Sequence, residues 1–460
     1  MSGALEDRHA VSLDPPSVAE QDRHSGPGRS ARASLYDLTL DELARHVADL
    51  PSYRVEQIHR GLYRQLCGIE EITALPTGLR RQLSDNEALQ PALTELESRS
   101  ADRGETVKWL FACPDGSLIE TVLMHHPRHS TVCVSSQAGC AMRCQFCATG
   151  DAGFARQLST GEIVEQVVRA ARQAKNTGRR LDHVVFMGMG EPLANFPRVW
   201  RATERIIAEM GIAARHVTIS TVGVVPAIRA FAAKPQQVNL AVSLHAANDE
   251  LRDKLVPINR RYPIADLITV LEEYVSSTHR RISFEWALME KVNDSGHDAA
   301  ELAVIARRVR AHVNLIPLNP TVGGSERGLR GSPPARVRAF REQLLARGVN
   351  VTVRQTRGRE IEAACGQLAG SVPSPSATAD STGHEPPGPG LVGRGRTAAR
   401  HTAGKSSARG VVAEGQRPPV TRGGIDLPGD RDGWRGADRD PASRRDGPKP
   451  DSAAGRGSVL

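Results

Sequence analysis

Three cysteines stand close together in the stretch GCAMRCQFCATG, residues 139–150. Cys140, Cys144 and Cys147 follow the spacing C-x3-C-x2-C. Thiolates are soft ligands, and in a reducing compartment clustered cysteines indicate a metal or a catalytic site more often than a disulfide. We therefore interpret the triplet as a site, and the first question is which metal it holds.

Zinc and iron–sulfur clusters both bind to thiolates. A closed zinc site needs four ligands, and the candidates for a fourth are the upstream His125, His126 and His129, which lack the usual paired spacing. Three thiolates on a four-iron cluster leave one iron without a protein ligand, where a chelating substrate can bind. The order C-x3-C-x-F-C is similar to the signature of the radical S-adenosylmethionine (SAM) superfamily. That resemblance implies one 4Fe-4S cluster with three cysteine ligands, whose open iron binds SAM and whose electron cleaves SAM to a 5′-deoxyadenosyl radical.

A second motif, MGMGEP at residues 187–192, follows a predicted strand. Glycines such as Gly190 let the backbone approach a ligand closely, and Glu191 can accept a hydrogen bond from the SAM ammonium group. By itself such a turn is only a connection between a strand and a helix. After the cysteine triplet, we interpret it as part of a SAM site.

The elements that must position these residues begin near residue 131. Seven short apolar runs are typical of strands: TVCVSS, HVVFMG, HVTIST, VNLAVSLH, RISFEWAL, VNLIPLN and VNVTVRQ. Amphipathic helices separate them, and this βαβα order predicts a parallel sheet with right-handed crossovers. We predict an α/β protein built on a partial TIM-like (βα)6 barrel, with its chemistry in the loops after the strands.

The predicted organisation has four parts. Residues 34–95 form a small helical domain, and residues 96–370 form the barrel core, which starts with the β-rich runs TVKWLFA and IETVLMH. Residues 1–33 and 371–460 are rich in Gly, Pro, Ser and charged residues and are expected to be disordered. The helical domain could hold an RNA backbone through its basic side chains, which are Arg54, His59, Arg60, Arg64, Arg80 and Arg81.

The net charge of +8 gives only weak support for a polyanionic partner. Residues 371–460 carry 14 Lys and Arg against 10 Asp and Glu, so +4 lies in that tail and +4 in the rest of the chain. The tail could be an RNA-contacting arm, although a plain linker is the simpler interpretation. The chain has no signal-peptide pattern and no apolar run of about 18 residues, so we expect a cytoplasmic monomer without a membrane partner.

Longer motifs narrow the family. The segments TVCVSSQAGCAMRCQFCATG, FMGMGEPLANF, VSLHA, IPLNP and RQTRGREIEAACGQL, in this order, closely resemble the RlmN/Cfr group of radical SAM RNA methyltransferases. The resemblance covers about residues 35–370. It implies SAM contacts at Gly190, Glu191, Ser220, Ser243, Leu244, His245 and Asn319. The assignment of Ser220 could shift by one residue to Thr221.

The resemblance also gives roles to two of the remaining cysteines and one carboxylate. Cys365 accepts a methyl group from one SAM, a radical forms on that methyl group with a second SAM, and the carbon adds to adenine. Cys133 then resolves the protein–RNA adduct through disulfide exchange. Glu120 matches a candidate general base. We assign no function to Cys67 or Cys113.

The implied substrate is carbon 2 of an adenine in 23S ribosomal RNA and also in transfer RNA, with flavodoxin or ferredoxin as electron donor. Methylation of carbon 8, as in the Cfr branch, or another RNA target remains an alternative. The glycine-rich loop PTVGGSERGLRGSPPAR after Asn319 departs from the family pattern. Two rival interpretations are an RNA-binding protein with a zinc or iron–sulfur knot, and a radical SAM enzyme acting on a peptide or small molecule.

Overall fold

A curved ten-stranded sheet organises the computed structural model, which describes residues 34–354 and 356–370. Its order is β1-β2-β3-β4-β7-β8-β9-β10-β11-β12, with antiparallel pairs up to β4 and parallel pairs from β4 onward. The strands are β1 Thr94–Ala101, β2 Thr106–Ala112, β3 Leu118–His125, β4 Ser130–Cys133, β7 Leu181–Phe186, β8 Val217–Thr221, β9 Asn239–Ser243, β10 Ile282–Leu288, β11 His312–Pro317 and β12 Val351–Val353. A separate ribbon pairs β5 Gln137–Gly139 with β6 Phe154–Gln157.

Helices connect the parallel strands as six βα units. In the described residues the helices are α1 Leu40–His46, α2 Ser52–Arg60, α3 Thr77–Ser84, α4 Ala148–Asp151, α5 Thr160–Asn176, α6 Phe196–Ala208, α7 Val225–Ala232, α8 Asp249–Leu255, α9 Ile264–Thr278, α10 Gly296–Arg308, α11 Val322–Glu326 and α12 Pro334–Ala346. Strands β1 and β12 are the two edges of the sheet. The prediction of a partial TIM-like (βα)6 barrel is confirmed, as are all seven predicted parallel strands.

Alternation along the parallel strands separates a buried apolar face from a more polar face. Val184 on β7 and Val217 on β8 are fully buried and pair with each other. Their neighbours His183 and Val185 are only half-buried. Because successive side chains of a strand point to opposite faces, His183, Val185 and the following Met187 share one face. Met187 lines the main cavity, so this face leads to the site described below.

The N-terminal helices dock on the barrel through buried polar contacts. Arg205 on α6 donates to the carbonyl oxygens of Tyr36 and Leu38 at 2.5 Å each and to the Tyr63 hydroxyl at 2.6 Å. The Asp37 carboxylate accepts from the Gly161 backbone N–H at 2.6 Å, at the start of α5. Residues 34–370 therefore lie within one compact unit, and the boundary at residue 95 stays a prediction.

Several of the cations proposed for RNA contact bind to the protein itself. Arg54 donates to the Ala74 carbonyl, Arg64 to the Ala208 carbonyl and Arg80 to the Glu70 carbonyl. His59 lies 3.4 Å from the Glu209 carboxylate. These contacts stabilise the helical region, and RNA binding there stays a prediction.

The segments predicted to be disordered, residues 1–33 and 371–460, lie outside the described residues. Within residues 34–354 and 356–370, none of the helices combines the length and apolar character that a membrane span requires.

Candidate active site

A cavity of about 150 Å³ lies at the carboxyl ends of the parallel strands. It brings together residues that are up to 228 positions apart in the sequence, from Cys140 to Leu368. Ten of the thirteen predicted site residues line it: Cys140, Cys144, Cys147, Gly190, Glu191, Ser220, Ser243, His245, Asn319 and Cys365. Thr221 also lines it, but its hydroxyl accepts from the Gly223 backbone at 3.0 Å, which leaves Ser220 as the better SAM candidate.

The cysteine loop is shaped by the β5–β6 ribbon. Gly139 has φ 74°, and a Cβ there would lie 1.9 Å from the Gly153 carbonyl oxygen, so glycine is required. That carbonyl accepts from the Cys140 backbone N–H at 2.7 Å. Cys147 stands at the N-cap of α4, and its N–H donates to the Cys144 carbonyl at 3.1 Å. The ribbon and α4 thus hold the three thiols at one wall of the cavity.

The three thiols suit an iron–sulfur cluster because sulfur is a ligand that iron accepts and because all three lie at one cavity. Each one lines the same cavity, and the charges of Cys140 and Cys147 both raise the pKa of Cys144, after burial as the main cause. Burial also raises the pKa of Cys140 to about 12, so a cation is needed to stabilise the thiolate forms. In the part of the chain that the structure describes, no three metal-binding side chains are already arranged as a metal site. Ligation by this triplet is therefore a proposal.

Glu191 also lines the cavity and is held by backbone groups. Its carboxylate accepts from the Leu193 N–H at 3.0 Å and the Val222 N–H at 2.9 Å. Burial raises the pKa of Glu191 to about 7. Gly190 has φ 98°, and a Cβ there would meet the Gln137 side chain at 2.5 Å. The turn therefore requires glycine at position 190, next to the buried Glu191 carboxylate.

His245 lines the same cavity and has a left-handed backbone conformation, with φ 60°. Its Nδ1 accepts from the Ala287 N–H at 3.0 Å, and its ring packs edge-on against Phe146 at 4.6 Å. Burial lowers the pKa of His245 to about 3, so the imidazole is neutral at pH 7. Beneath it, the fully buried Arg252 donates to the Leu244 and Val222 carbonyls. Leu244 itself is fully buried in the core and does not line the cavity, so its contact with SAM stays a prediction.

Two buried acceptors in the cavity wall suit a polar ligand. Asn319 donates from its amide nitrogen to the Cys365 carbonyl at 3.1 Å, and its Oδ1 has no hydrogen-bond partner within the described residues. Glu285 accepts from Asn314 at 2.9 Å through Oε1, while its Oε2 has no hydrogen bond there and lies 3.8 Å from Arg354 Nη1 as an ion pair. Buried acceptors are normally satisfied, so both atoms fit the ammonium and hydroxyl donors of SAM.

Cys365 lines the cavity, and Cys133 lies near it in strand β4 without lining the cavity itself. Cys365 is exposed, whereas Cys133 is buried, and burial followed by the charge of Cys365 raises the pKa of Cys133 to about 12. Arg354 Nη1 lies 3.7 Å from the Cys365 sulfur and 3.6 Å from the Met187 sulfur. All seven cysteines are free thiols. The pair is therefore close enough for electrostatic coupling, with a guanidinium beside the exposed member.

Proteins with similar sequences and structures identify the family of this chain. The profile of the Radical SAM superfamily matches residues 134–303. A protein of Frankia alni named "Probable dual-specificity RNA methyltransferase RlmN" is 48% identical, covering 76% of this chain and 90% of that protein. Its counterpart in Parafrankia is 49% identical, over 76% of this chain and 94% of that one. The crystal structure of a radical SAM methyltransferase from Sphaerobacter thermophilus has 48% identity and a TM-score of 0.70, covering 74% of this chain and all of that chain.

This chain belongs to the RlmN family of radical SAM RNA methyltransferases. The family implies a 4Fe-4S cluster and SAM as cofactors. The residues present fit that requirement, because the three thiols and the two unsatisfied acceptors face one cavity. The expected enzyme class and the resemblance drawn from the sequence motifs are confirmed.

Glu120 lies away from the RlmN-family cavity. It forms a buried ion pair with Lys108, at 2.7 Å between Nζ and Oε1. Its Oε2 accepts from the backbone N–H groups of Ala369 at 2.8 Å and Gly370 at 3.2 Å. In this arrangement Glu120 anchors the segment that follows Cys365, and its role as a general base stays a prediction.

Three residues that line this cavity were not predicted from the sequence. They are Glu285, Arg354 and Met187. All three lie in or just after strands whose sequences predict buried core positions. A signal existed for Glu285, because it is a single carboxylate inside the otherwise apolar run RISFEWAL. A charge at the centre of a predicted buried strand indicates either a paired or a functional group.

Proposed function

We propose that this enzyme methylates carbon 2 of an adenine in 23S ribosomal RNA, and also an adenine of transfer RNA, through an S-methylated Cys365. The observation that carries the proposal is Cys365 itself, exposed in the cavity that holds the cysteine triplet and accompanied by the buried Cys133. Relatives named dual-specificity RNA methyltransferases support an RNA substrate of more than one kind.

The first step is an ordinary displacement at the sulfur of Cys365. Its thiolate attacks the methyl group of one SAM, a sulfur–carbon bond forms, and S-adenosylhomocysteine leaves. Arg354, 3.7 Å from the sulfur, stabilises negative charge there. This transfer needs no RNA, so Cys365 should be methylated before the substrate binds.

A second SAM is needed because carbon 2 of adenine is electron-poor and does not attack a SAM methyl group. When bound by Cys140, Cys144 and Cys147, the cluster supplies the electron that cleaves SAM to a 5′-deoxyadenosyl radical. We assign SAM binding to Glu191, Ser220, Ser243, His245 and Asn319, with Glu285 as an added acceptor. A flavodoxin or ferredoxin is the proposed electron donor.

Cys365 then carries the carbon to the base. Its methyl group loses a hydrogen atom, and the resulting carbon radical adds to carbon 2 of adenine, which links protein to RNA. Once the adduct has passed one electron to an oxidised flavodoxin or ferredoxin and lost the carbon 2 proton, the Cys133 thiol gives up its proton and its sulfur attacks the Cys365 sulfur. The sulfur–carbon bond breaks, the released carbon takes a proton to become the new methyl group, and a Cys133–Cys365 disulfide remains.

The test is anaerobic reconstitution with iron and sulfide, a reductant, methyl-labelled SAM and protein-free ribosomal or transfer RNA, followed by nucleoside mass spectrometry. We expect labelled 2-methyladenosine with the wild type. Cys365→Ala should give none while keeping the iron–sulfur absorbance near 400 nm, whereas the matched Cys67→Ala should behave as wild type. Labelled 8-methyladenosine would overturn the carbon 2 assignment, and RNA methylation by Cys365→Ala would overturn the S-methylcysteine route.

A further inference from the structure

A fully buried cation lies behind residues that line the cavity. Arg252 on α8 is 0% exposed, and its Nε donates to the Leu244 carbonyl at 3.0 Å. Its Nη2 donates to the Val222 carbonyl at 2.6 Å and to the Ser243 carbonyl at 3.4 Å, and both of these residues line the cavity. Its Nη1 donates to Asn259 Oδ1 at 2.7 Å. The guanidinium is therefore one hydrogen bond away from the backbone of the site.

The hydrogen bonds of Arg252 join the ends of two neighbouring strands at the proposed SAM site. Val222 follows β8, and its N–H donates to Glu191 Oε2 at 2.9 Å. Ser243 is the last residue of β9, which pairs with β8. By holding the carbonyl groups of Val222 and Ser243, Arg252 fixes the backbone that orients both SAM candidates. A lysine has one ammonium group and lacks the planar fork of N–H donors, so it cannot replace all of these bonds.

The same short helix packs against the cysteine loop. The Leu255 carbonyl, at the end of α8, accepts from the Gln145 N–H at 3.0 Å, and Gln145 directly follows Cys144. Leu255 also belongs to one buried apolar cluster with Cys140 and Cys144. Arg252 precedes Leu255 by three residues, and residues at this spacing are neighbours on one side of a helix. Helix α8 therefore places a buried cation next to both the proposed SAM site and the cysteine loop.

The charge of Arg252 has no direct counter-ion among the described residues. The groups to which it donates there are all neutral, three carbonyls and one side-chain amide. Asp249 and Asp253 accept from Asn259 Nδ2 at 2.8 Å and 2.7 Å, and this amide separates them from the guanidinium. Burial lowers the pKa of Arg252 to about 10, and the charge of Cys144 opposes this change ahead of the two aspartates. Arg252 is therefore a cation at pH 7, and because buried charges are normally paired, an anion at the cysteine loop would complete the pair.

We propose that Arg252 positions the SAM site and supplies the positive charge that faces the bound cluster. The proposal rests on the proposed ligation of that cluster by Cys140, Cys144 and Cys147. Three thiolates give the cluster a net negative charge, and an added electron makes it more negative. A buried cation stabilises the reduced form more than the oxidised form, so it raises the reduction potential. Arg252 thus makes the cluster easier to reduce.

The first experiment measures the reduction potential of the cluster in the full-length, reconstituted enzyme without SAM or RNA, by dithionite titration followed by electron paramagnetic resonance. Arg252→Met removes the charge at similar length, and the equilibrium constant for one-electron reduction should fall at least about 10-fold, which is about 59 mV. Arg252→Lys keeps the charge and should stay within about 3-fold of the wild type, half of that shift. Arg260→Met is the matched control and should leave the potential unchanged, because solvent screens this exposed arginine.

The second experiment measures the affinity of the same reconstituted proteins for SAM by isothermal titration. Both Arg252→Met and Arg252→Lys lose hydrogen bonds to the strand ends. Each should therefore bind SAM about 10-fold more weakly, as expected for the loss of a charge-assisted hydrogen bond that holds the site. Arg260→Met should bind SAM as the wild type does. The two variants of Arg252 thus separate its charge from its hydrogen bonds.

Three results would overturn the proposal: a wild-type potential in Arg252→Met, a potential in Arg252→Lys as low as that in Arg252→Met, or wild-type affinity for SAM in both variants. Iron and sulfide content reports whether a variant holds the cluster, and Arg252→Gln takes the place of Arg252→Met if that variant does not. Failure of the proposed function looks different, because the wild type would then form no methylated nucleoside although its cluster is reduced normally.

Discussion

Cys133 and Cys365 come from strand β4 and from the last described segment, and they differ in exposure as their proposed roles require. Cys365 is exposed to accept the methyl group, while Cys133 is buried and, through its raised pKa of about 12, neutral at pH 7. A neutral thiol does not compete for the SAM methyl group, because the thiolate is the nucleophile. The difference in burial therefore supports Cys365 as the sulfur that is methylated first in the proposed reaction.

We predict that Cys133→Ala stops the reaction after carbon–carbon bond formation. Without the second thiol the adduct has no route to resolution, so the yield of free methylated RNA should fall about 100-fold or more. Enzyme and RNA should instead comigrate as a covalent complex on a denaturing gel. Cys113→Ala, which removes another buried thiol outside the cavity, should give no such complex. Normal turnover by Cys133→Ala would remove the resolving role.

Glu191 should make SAM binding depend on pH near neutrality. Its pKa is raised by burial to about 7, so the carboxylate to which we assign the SAM ammonium group becomes protonated as the pH falls below that value. The affinity of the reconstituted enzyme for SAM should therefore drop about 10-fold for each pH unit below 7. His245, with a pKa lowered to about 3, stays neutral throughout.

Isothermal titration between pH 8 and pH 6 measures this dependence, with Glu191→Gln as the matched variant. The amide does not titrate, so the variant should bind SAM weakly and equally at both pH values. Burying the ionised carboxylate also costs stability, and without SAM the wild type should lose stability as the pH rises from about 4.5 to 7, which Glu191→Gln should not. A wild-type affinity that does not change with pH would contradict the assignment.

At the scale of elements, the segment that carries Cys365 is a loop fixed by contacts from several parts of the fold. The Gly366 carbonyl accepts from the Ala148 N–H at 2.8 Å, and the Leu368 carbonyl accepts from the Thr149 hydroxyl at 2.5 Å. The Lys108–Glu120 pair holds the end of the segment through the backbone of Ala369 and Gly370. Helix α4, which follows the cysteine triplet, thus positions the segment of Cys365 as well.

We predict that Lys108→Met loosens this segment. The change leaves the Glu120 carboxylate buried without its cation, and breaking a buried ion pair costs about 3–5 kcal/mol. Backbone hydrogen exchange in residues 362–370 should accelerate, and methylation of Cys365 without RNA should slow. Lys254→Met removes an exposed pair with Glu250 and should change neither measurement.

Glu120→Gln separates anchoring from proton transfer. If Glu120 only anchors the segment, this variant should show faster exchange in residues 362–370 and slower Cys365 methylation, as Lys108→Met does. Loss of RNA methylation with both of those properties unchanged would instead support the general base that the sequence motif suggested.

The parallel strands and their connecting helices were the features of this fold that the sequence predicted best. Each parallel strand is a short apolar run between amphipathic helices, and that pattern does not depend on distant residues. Strand β1 and the β5–β6 ribbon were not predicted. The β1 sequence TELESRSA is mostly polar, and the β5 sequence QAG is too short to show alternation of polar and apolar residues. The positions of Glu120 and Leu244 could not be predicted either, since each depends on which distant segment packs against it.

At the scale of the whole molecule, the described residues contain the complete proposed site. The residues that line the cavity, and Cys133 with its proposed resolving role, lie between residues 133 and 368. The N-terminal helices are joined to this unit through Arg205 and Asp37. The relatives in Frankia and Parafrankia match over 76% of the chain, in keeping with a site confined to this part.

The charged side chains of the C-terminal tail, residues 371–460, bear on RNA binding. Removing residues 376–460 deletes 14 Lys and Arg and 10 Asp and Glu, and it leaves a spacer, residues 371–375, between Gly370 and the new carboxyl terminus. That spacer keeps the new negative charge away from Glu120, which binds the Gly370 N–H. Because acidic and basic residues are interspersed in the tail, we expect it to neutralise few phosphates. The slope of log affinity for transfer RNA against log salt concentration should therefore be unchanged by the truncation, as should the rate of Cys365 methylation. A slope that becomes shallower by about one for each lost phosphate contact would identify the tail as an RNA-binding arm.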